Sequence, residues 1–414
     1  MFILIAAIFL AAFGFISCSQ EELSNNTAQE QTSNKYSTQE AAANVLEFIN
    51  NMNSKSTRAF NQGISIANVK PISVTSKTRA SDEINNDTLF YVVNFSDSCG
   101  FAIASADKED APVLALIEHG TYNETDSLNP GFEAFMDAMI ENKIDKKENI
   151  TIMPKDDIDD IGGRGSSSSS RPDKFEVMSP ILKTKWSQKY PYNKYCPGPY
   201  TGCVVTAVSQ ICSYLERPTN IRYQYNSEYG EATINWEKVI QECVQNKNKG
   251  TLFSPDTKEQ IARLMRFFGV TFNAKYTNEG TDVKTEDALK TLRTVYGFNV
   301  TGLSDYNIDN VIKDLKSGNK IILMRGNGRY YHVGFVFRKY VDGHAWVVDG
   351  YIDQIKNNKE NKYVHCNWGW GDDLNGYFLS NVLNAEQAPV YNDSIKTRSS
   401  SNFRYRLQTA TFTK

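Results

Sequence analysis

The chain has 414 residues, 40% hydrophobic and 22% charged, which allows two ordinary domains and is globular rather than disordered in composition. With 45 Lys and Arg against 48 Asp and Glu the formal charge is −3 and no long basic block occurs, so nucleic acid is not an expected partner. No Cys-x-x-Cys pair and no His-Glu-x-x-His is present, which leaves structural zinc and zincin chemistry unsupported; no metal or organic cofactor is expected.

Met1 to Ser17 is apolar almost throughout, too short to span a bilayer comfortably and the length of a signal-peptide core. Phe15-Ile16-Ser17-Cys18 resembles a bacterial lipobox, with Phe15 where Leu is usual. Residues 1–18 are therefore read as a lipoprotein-type signal peptide, with Cys18 as the lipidated residue. Residues 19–35, rich in Ser, Asn, Gln, Thr and Glu, cannot bury enough apolar surface to fold alone and read as a flexible tether.

A front domain is expected over residues 36–150. Ser37-Thr38-Gln39-Glu40 is a capping-box pattern ahead of an amphipathic helix carrying Ala43, Val45, Leu46 and Ile49. Strand patterns follow at 88–95, 100–105 and 113–117, separated by turn-type residues. A second helix around 132–143 places Phe132, Phe135, Met136, Met139 and Ile140 on one side. Helices flanking a small antiparallel sheet make a plausible module, and nothing in it looks catalytic.

Residues 151–178 break the pattern: an acidic stretch, Gly162-Gly163-Arg164-Gly165, and the run Ser166 to Ser170 before Arg171-Pro172. By composition this is a linker, and exposed flexible chain is where proteolytic nicking concentrates. It could equally be a permanent tether between two domains.

The chemistry lies in residues 179–414. Val204, Val208, Ile211 and Leu215 recur at helical spacing, and Arg217-Pro218 ends the run. Gly202 precedes it, so Cys203 falls at or near the first turn. Unpaired N–H groups and the positive end of the helix dipole stabilise a thiolate there, the reactive form of cysteine. Cys212 is about 13 Å further along such a helix and reads as a core residue. Cys99, Cys196, Cys243 and Cys366 are the other thiols, and Cys196, Cys212, Cys243 and Cys366 could form two disulfides in any of three connectivities. A cysteine nucleophile needs an imidazole to take its proton and return one to the leaving amine. His344 enters a strand-like run after the Asp342-Gly343 turn, and His332 and His365 lie in strand-like runs of their own. The residues alone leave the three open.

Thr201-Gly202-Cys203 opening a helix, Gly343-His344-Ala-Trp-Val-Val-Asp-Gly350, and Asn367-Trp-Gly-Trp-Gly371 occur in the order and at separations similar to those of streptopain-type peptidases, a branch of the papain superfamily. Trp186 to Asn193 resembles that family's approach to its nucleophile, and Gly100 to Asp107 resembles a run in its inhibitory prosegment. The resemblance implies Cys203 as nucleophile and His344 as base. It implies Gln188 as an oxyanion donor beside main-chain N–H groups, and Asn367 and Trp368 as the segment that orients and shields the histidine. Arg325 to Val341 is a longer, more aromatic approach to His344 than the family pattern, which bears on the shape of the groove.

The expected fold is α+β: a papain-like two-lobed catalytic domain, with a helical lobe and an antiparallel barrel-like sheet, behind a small α+β prodomain. The expected function is a cysteine endopeptidase made as a zymogen, with protein or peptide substrates and its own prodomain as intramolecular inhibitor. It would be exported to the outer membrane or cell surface on an N-terminal lipid anchor. The alternative is a surface lipoprotein that binds through the same fold without cutting.

Overall fold

The computed structural model describes residues 34–56, 60, 63–77, 84–123, 129, 131–133, 135–136, 138–140, 171–333, 337–383 and 405–414. Cys18, residues 19–33 of the tether and most of the serine-rich linker lie outside the described residues.

Helix α1 (Thr38–Lys55) begins with the expected box: Glu40 N–H donates to Ser37 Oγ at 3.2 Å and Ser37 N–H to Glu40 Oε2 at 2.7 Å. Its buried stripe is Ala41, Val45, Phe48, Ile49 and Met52; Ala43 is exposed and Leu46 half-buried, so the face is rotated from the one expected. Strands β1 (Ile66–Lys77), β2 (Ile84–Phe95), β3 (Phe101–Ser105) and β4 (Val113–Ile117) follow in antiparallel order. The described residues within 131–140 are helical (α2) and bury Phe132, Phe135, Met136 and Met139.

β5 (Lys174–Met178) corrects the expected linker at its rear end. It pairs with the later strand β12, Tyr351 opposite Met178 and Ile355 opposite Lys174, so residues 174–178 belong to a sheet. A five-residue alternation of Lys174, Phe175, Glu176, Val177 and Met178 is enough for an edge strand once a partner is available.

Next come α3 (Cys203–Leu215), the hairpin β6 (Asn220–Tyr225) and β7 (Glu228–Thr233), then α4 (Trp236–Gln245) and α5 (Pro255–Thr271). After them lie β8 (Lys275–Tyr276), β9 (Thr281–Asp282), α6 (Thr285–Thr294), β10 (Ser304–Asp305) and α7 (Ile308–Lys316). Four longer strands complete the sheet: β11 (Lys320–Val333), β12 (Phe337–Lys356), β13 (Lys359–Asn367) and β14 (Gly376–Leu379), with β15 (Tyr405–Thr413) beside β11.

The front and rear parts share one sheet. The order is β1-β2-β3-β4-β14-β13-β12-β11-β15-β10, with β5 on β12, eleven strands in all; the junction is β4 on β14, Tyr377 opposite Leu116. Alternate residues of the central strands serve two cores. Ile321, Leu323, Ala345, Val347, Ala410 and Phe412 face the helices α3 to α6, while Ile322, Met324, Trp346 and Val348 pack with Phe48, Phe101 and Phe132 of the front domain. Cys99, Cys196, Cys203, Cys212, Cys243 and Cys366 are all free thiols, so the two disulfides that four of them could form are absent among the described residues. No described helix is long and apolar enough to cross a membrane.

Candidate active site

Cys203 is the first residue of α3. Gly202 caps the helix at φ 98°, a conformation that favours glycine, and a Cβ there would meet Thr281 Cγ2 at 3.0 Å. No side chain caps this end. The first N–H groups of α3 therefore stay available for a thiolate or an oxyanion. The rest of α3 is almost wholly buried, which fixes the thiol's position.

The thiol lies against the backbone N–H groups of Ala345, Val204 and Cys203 itself. Ala345 follows His344 on β12, so the Cys203 thiol lies at the backbone next to His344. Register separates the other histidines from that point. His344 is opposite Gly326, whereas His332 is opposite Arg338 and His365 opposite Gly350. Arg338 and Gly350 each lie six residues from His344 along β12, roughly 20 Å of extended strand. The two alternatives left open by the sequence are thereby placed away from Cys203.

The His344 ring is buried, stacks on Trp346 at 5.9 Å between centroids, and sets Nε2 3.1 Å from the carbonyl oxygen of Trp368. That contact fixes Nε2 as the protonated nitrogen and leaves Nδ1 as the one that can accept a proton. Burial pushes the Cys203 thiol up, against those backbone N–H groups, with Asp282 adding to the rise. Burial also lowers His344 to about 4, partly offset by the Trp368 carbonyl. In this closed form both groups are held neutral, whereas helix-dipole reasoning alone had pointed to a thiolate.

The expected orienting pair divides its work. Trp368 meets His344 through its main chain. Asn367 uses its amide elsewhere: Oδ1 accepts from Gln210 Nε2 at 3.1 Å and Gly369 N–H at 3.2 Å, and Nδ2 donates to Thr184 O at 3.0 Å and Gln210 Oε1 at 3.2 Å. Those contacts fill its hydrogen-bonding capacity, so Asn367 holds the turn that presents Trp368 rather than the imidazole itself. Gln210, which the sequence reading passed over, also accepts from Trp186 N–H at 2.7 Å. A glutamine two turns beyond Cys203, within the helical run of Val204, Val208, Ile211 and Leu215, was the available signal. Gln188 is buried, and its carbonyl accepts from Thr201 N–H at 3.0 Å. The intervening loop is thus closed onto the start of α3, which brings Gln188 close despite its fifteen-residue separation from Cys203.

Around this site the β11–β12 hairpin continues past His344 to Val333 opposite Phe337, the long approach noted in the sequence. From the front domain, Asn129 Nδ2 donates to Asp373 O at 2.8 Å, and Phe132 and Phe135 pack on Phe378 at 6.2 and 4.9 Å. Phe378 packs edge-on against Trp368 at 5.2 Å and Trp368 lies tilted against Trp346 at 5.1 Å, so a continuous series of ring contacts joins α2 to His344.

The profile of the Peptidase C10 family matches residues 186–378, which hold Gln188, Cys203, His344, Asn367 and Trp368. The profile of the Spi protease inhibitor matches residues 22–143, the front domain. The chain matches the peptidase C10 family over 193 of its 414 residues. It is a streptopain-type cysteine peptidase precursor, with an inhibitor-like prosegment built into the same sheet as the catalytic part. Among curated relatives, the thiol protease/hemagglutinin PrtT of Porphyromonas gingivalis is 26% identical over 72% of this chain and 34% of its own length. The chain therefore spans about a third of that protein. Streptopain of Streptococcus pyogenes is 24% identical over 74% of this chain and 77% of its own. The structure of Prevotella intermedia prointerpain A superposes with TM-score 0.50 at 22% identity, covering 83% of this C10 precursor and 98% of that chain, and so shares its fold.

Proposed function

We propose that this precursor matures to an endopeptidase that cleaves proteins through Cys203 and His344. The observation that carries the reading is the Cys203 thiol at an uncapped helix N-terminus, against the backbone of the residue that follows His344. Opening the cleft to water removes the burial that holds both groups neutral. The proton then passes from Sγ to the imidazole and leaves the thiolate that attacks the peptide carbonyl. The oxyanion is met by the N–H of Cys203 and by Gln188. His344, held by the Trp368 carbonyl, gives its proton to the leaving amine, and the peptide's acyl part stays on sulfur. Water then attacks the thioester, His344 takes its proton, and the thiol is restored.

Residues 36–150 act as the inhibitor until the segment 151–173 is cut. The shared β4–β14 junction and the series of ring contacts from Phe132 to His344 support this role. Cys18 would carry a lipid that holds the exported precursor at the outer membrane or cell surface, a reading that rests on the lipobox-like sequence alone.

The test is intact mass over time under reducing conditions, for the precursor lacking residues 1–18 and for its Cys203→Ala form. Loss of the front domain from the unsubstituted chain alone supports nucleophile and zymogen together. Loss from both, or active product from Cys203→Ala, overturns the assignment.

A further inference from the structure

One buried ionic cluster lies away from the thiol and crosses from the prosegment into the catalytic part. Glu118, the residue after β4, sits beside the β4–β14 junction, where its N–H donates to Asn375 O at 3.1 Å. Its Oε2 is 3.1 Å from Lys185 Nζ, and its Oε1 is 3.6 Å from Nε2 of the buried His365. The other side of the His365 ring is held by Asp349, with Nδ1 and Oδ1 2.6 Å apart, and Tyr377 packs its ring against the imidazole at 5.1 Å. Lys185 Nζ also meets Asp372 Oδ1 at 2.5 Å, and His119 Nε2 lies 3.3 Å from Asp372 Oδ2. Glu118 and His119 come from the prosegment; Lys185, Asp349, His365 and Asp372 belong to the catalytic part.

We propose that Glu118 is the residue by which the catalytic part recognises its prosegment: one carboxylate at the end of β4 bridges Lys185 and His365 and sets how tightly the precursor stays closed. The reading rests on the precursor assignment above. The geometry gives the reason. Lys185 adjoins Trp186 at the start of the Gln188 loop, and His365 lies two residues before Asn367, so the carboxylate ties together the two segments that build the site. His365 Nε2 finds no hydrogen-bond partner among the described residues, and the Glu118 carboxylate at ion-pair distance is the compensating charge. Burial opposes charge on His365, but Asp349 and Glu118 outweigh it and raise the imidazole to about 9. Burial likewise opposes charge on Glu118, and His365 and Lys185 outweigh it and hold the carboxyl well below its usual range. Removing one partner of such a buried pair leaves the others uncompensated, which is the costly outcome.

The test is Glu118→Gln in the full-length precursor. Cys203 is alkylated with iodoacetamide for short times and scored by peptide mapping, which needs no peptidase activity. Failure of the functional reading is thus separable from failure of this one. The substituted residue is lost on maturation, so both processed enzymes share one sequence and their kcat/KM values should agree. About ten-fold or faster Cys203 labelling and prosegment loss is expected, because Lys185 and His365 are left with an uncompensated charge. Labelling at the unsubstituted rate overturns the proposal. So does an altered kcat/KM of the processed product, because that would place Glu118 in folding rather than recognition. If Glu118→Gln yields no soluble precursor, Glu118→Asp keeps the charge on a shorter side chain and should label faster than the unsubstituted precursor; labelling of the Asp form no faster than that also overturns it.

Discussion

Gly131 of the prosegment lies directly on the indole of Trp368, where a Cβ would fall 2.2 Å from Cε3. The carbonyl of the same Trp368 is 3.1 Å from Nε2 of His344. One residue is thus touched on its ring by the inhibitor-like domain and on its main chain by the imidazole.

Gly131→Val should therefore loosen the precursor specifically. Overpacking of this kind costs about 1–3 kcal/mol. The melting temperature of a Cys203→Ala precursor should fall, processing of the active form should accelerate, and kcat/KM of the processed enzyme should stay the same. An unchanged melting temperature would show that α2 does not bear on Trp368.

Cys203→Ala and His344→Ala should each lower kcat/KM roughly 10³-fold or more, and the double substitution should lose little beyond either single one, because the two act as a unit. Additive losses measured on a peptide substrate would argue that His344 works on something other than Cys203.

Gln188 and Asn367 should separate kinetically. Gln188→Ala is expected to lower kcat by about 10²–10³ with little change in KM, as for loss of an oxyanion donor. Asn367→Ala strands buried groups of Gln210, Thr184 and Gly369, at about 1–3 kcal/mol for an unsatisfied partner. It should show first as a lower melting temperature. A kcat effect from Asn367→Ala without that loss of stability would return Asn367 to direct contact with the imidazole.

Acid and alkali should weaken the closed precursor through different histidines. His365 is raised from its usual 6.5 to about 9, so its contribution is complete below about pH 6.5 and is lost as pH rises through 9. His344 is lowered to about 4, so its contribution is present above about 6.5 and is lost as pH falls through 4. Melting curves of the Cys203→Ala precursor should therefore peak near pH 6.5 and fall on either side, towards 4 through His344 and towards 9 through His365. Replacing His344 by Gln should flatten the acid limb alone; an unaltered acid limb would locate that titration elsewhere.

Much of the local structure was legible in the residues because it depends on near neighbours. Ser37 and Glu40 announced the start of α1, Gly202 and the spacing of Val204, Val208, Ile211 and Leu215 announced α3, and short strand-like runs between turn-type residues marked β2 to β4. The resemblance carried by the segments around Cys203, His344 and Asn367 pointed to the chemistry.

Long-range pairing decided the rest. Strand register placed His332 and His365 about 20 Å along the sheet from His344, a distance no local pattern encodes. Hydrogen-bond capacity sent Asn367 to Gln210 and left the imidazole to the Trp368 carbonyl. Burial decided the charge states of Cys203 and His344, because desolvation depends on everything packed around a group. The residues by themselves determined which groups could react. The tertiary structure decided which of them meet, and that in the closed precursor the strand just before Glu118 extends the catalytic sheet, since a carboxylate 67 positions from Lys185 finds it only when the chain has folded.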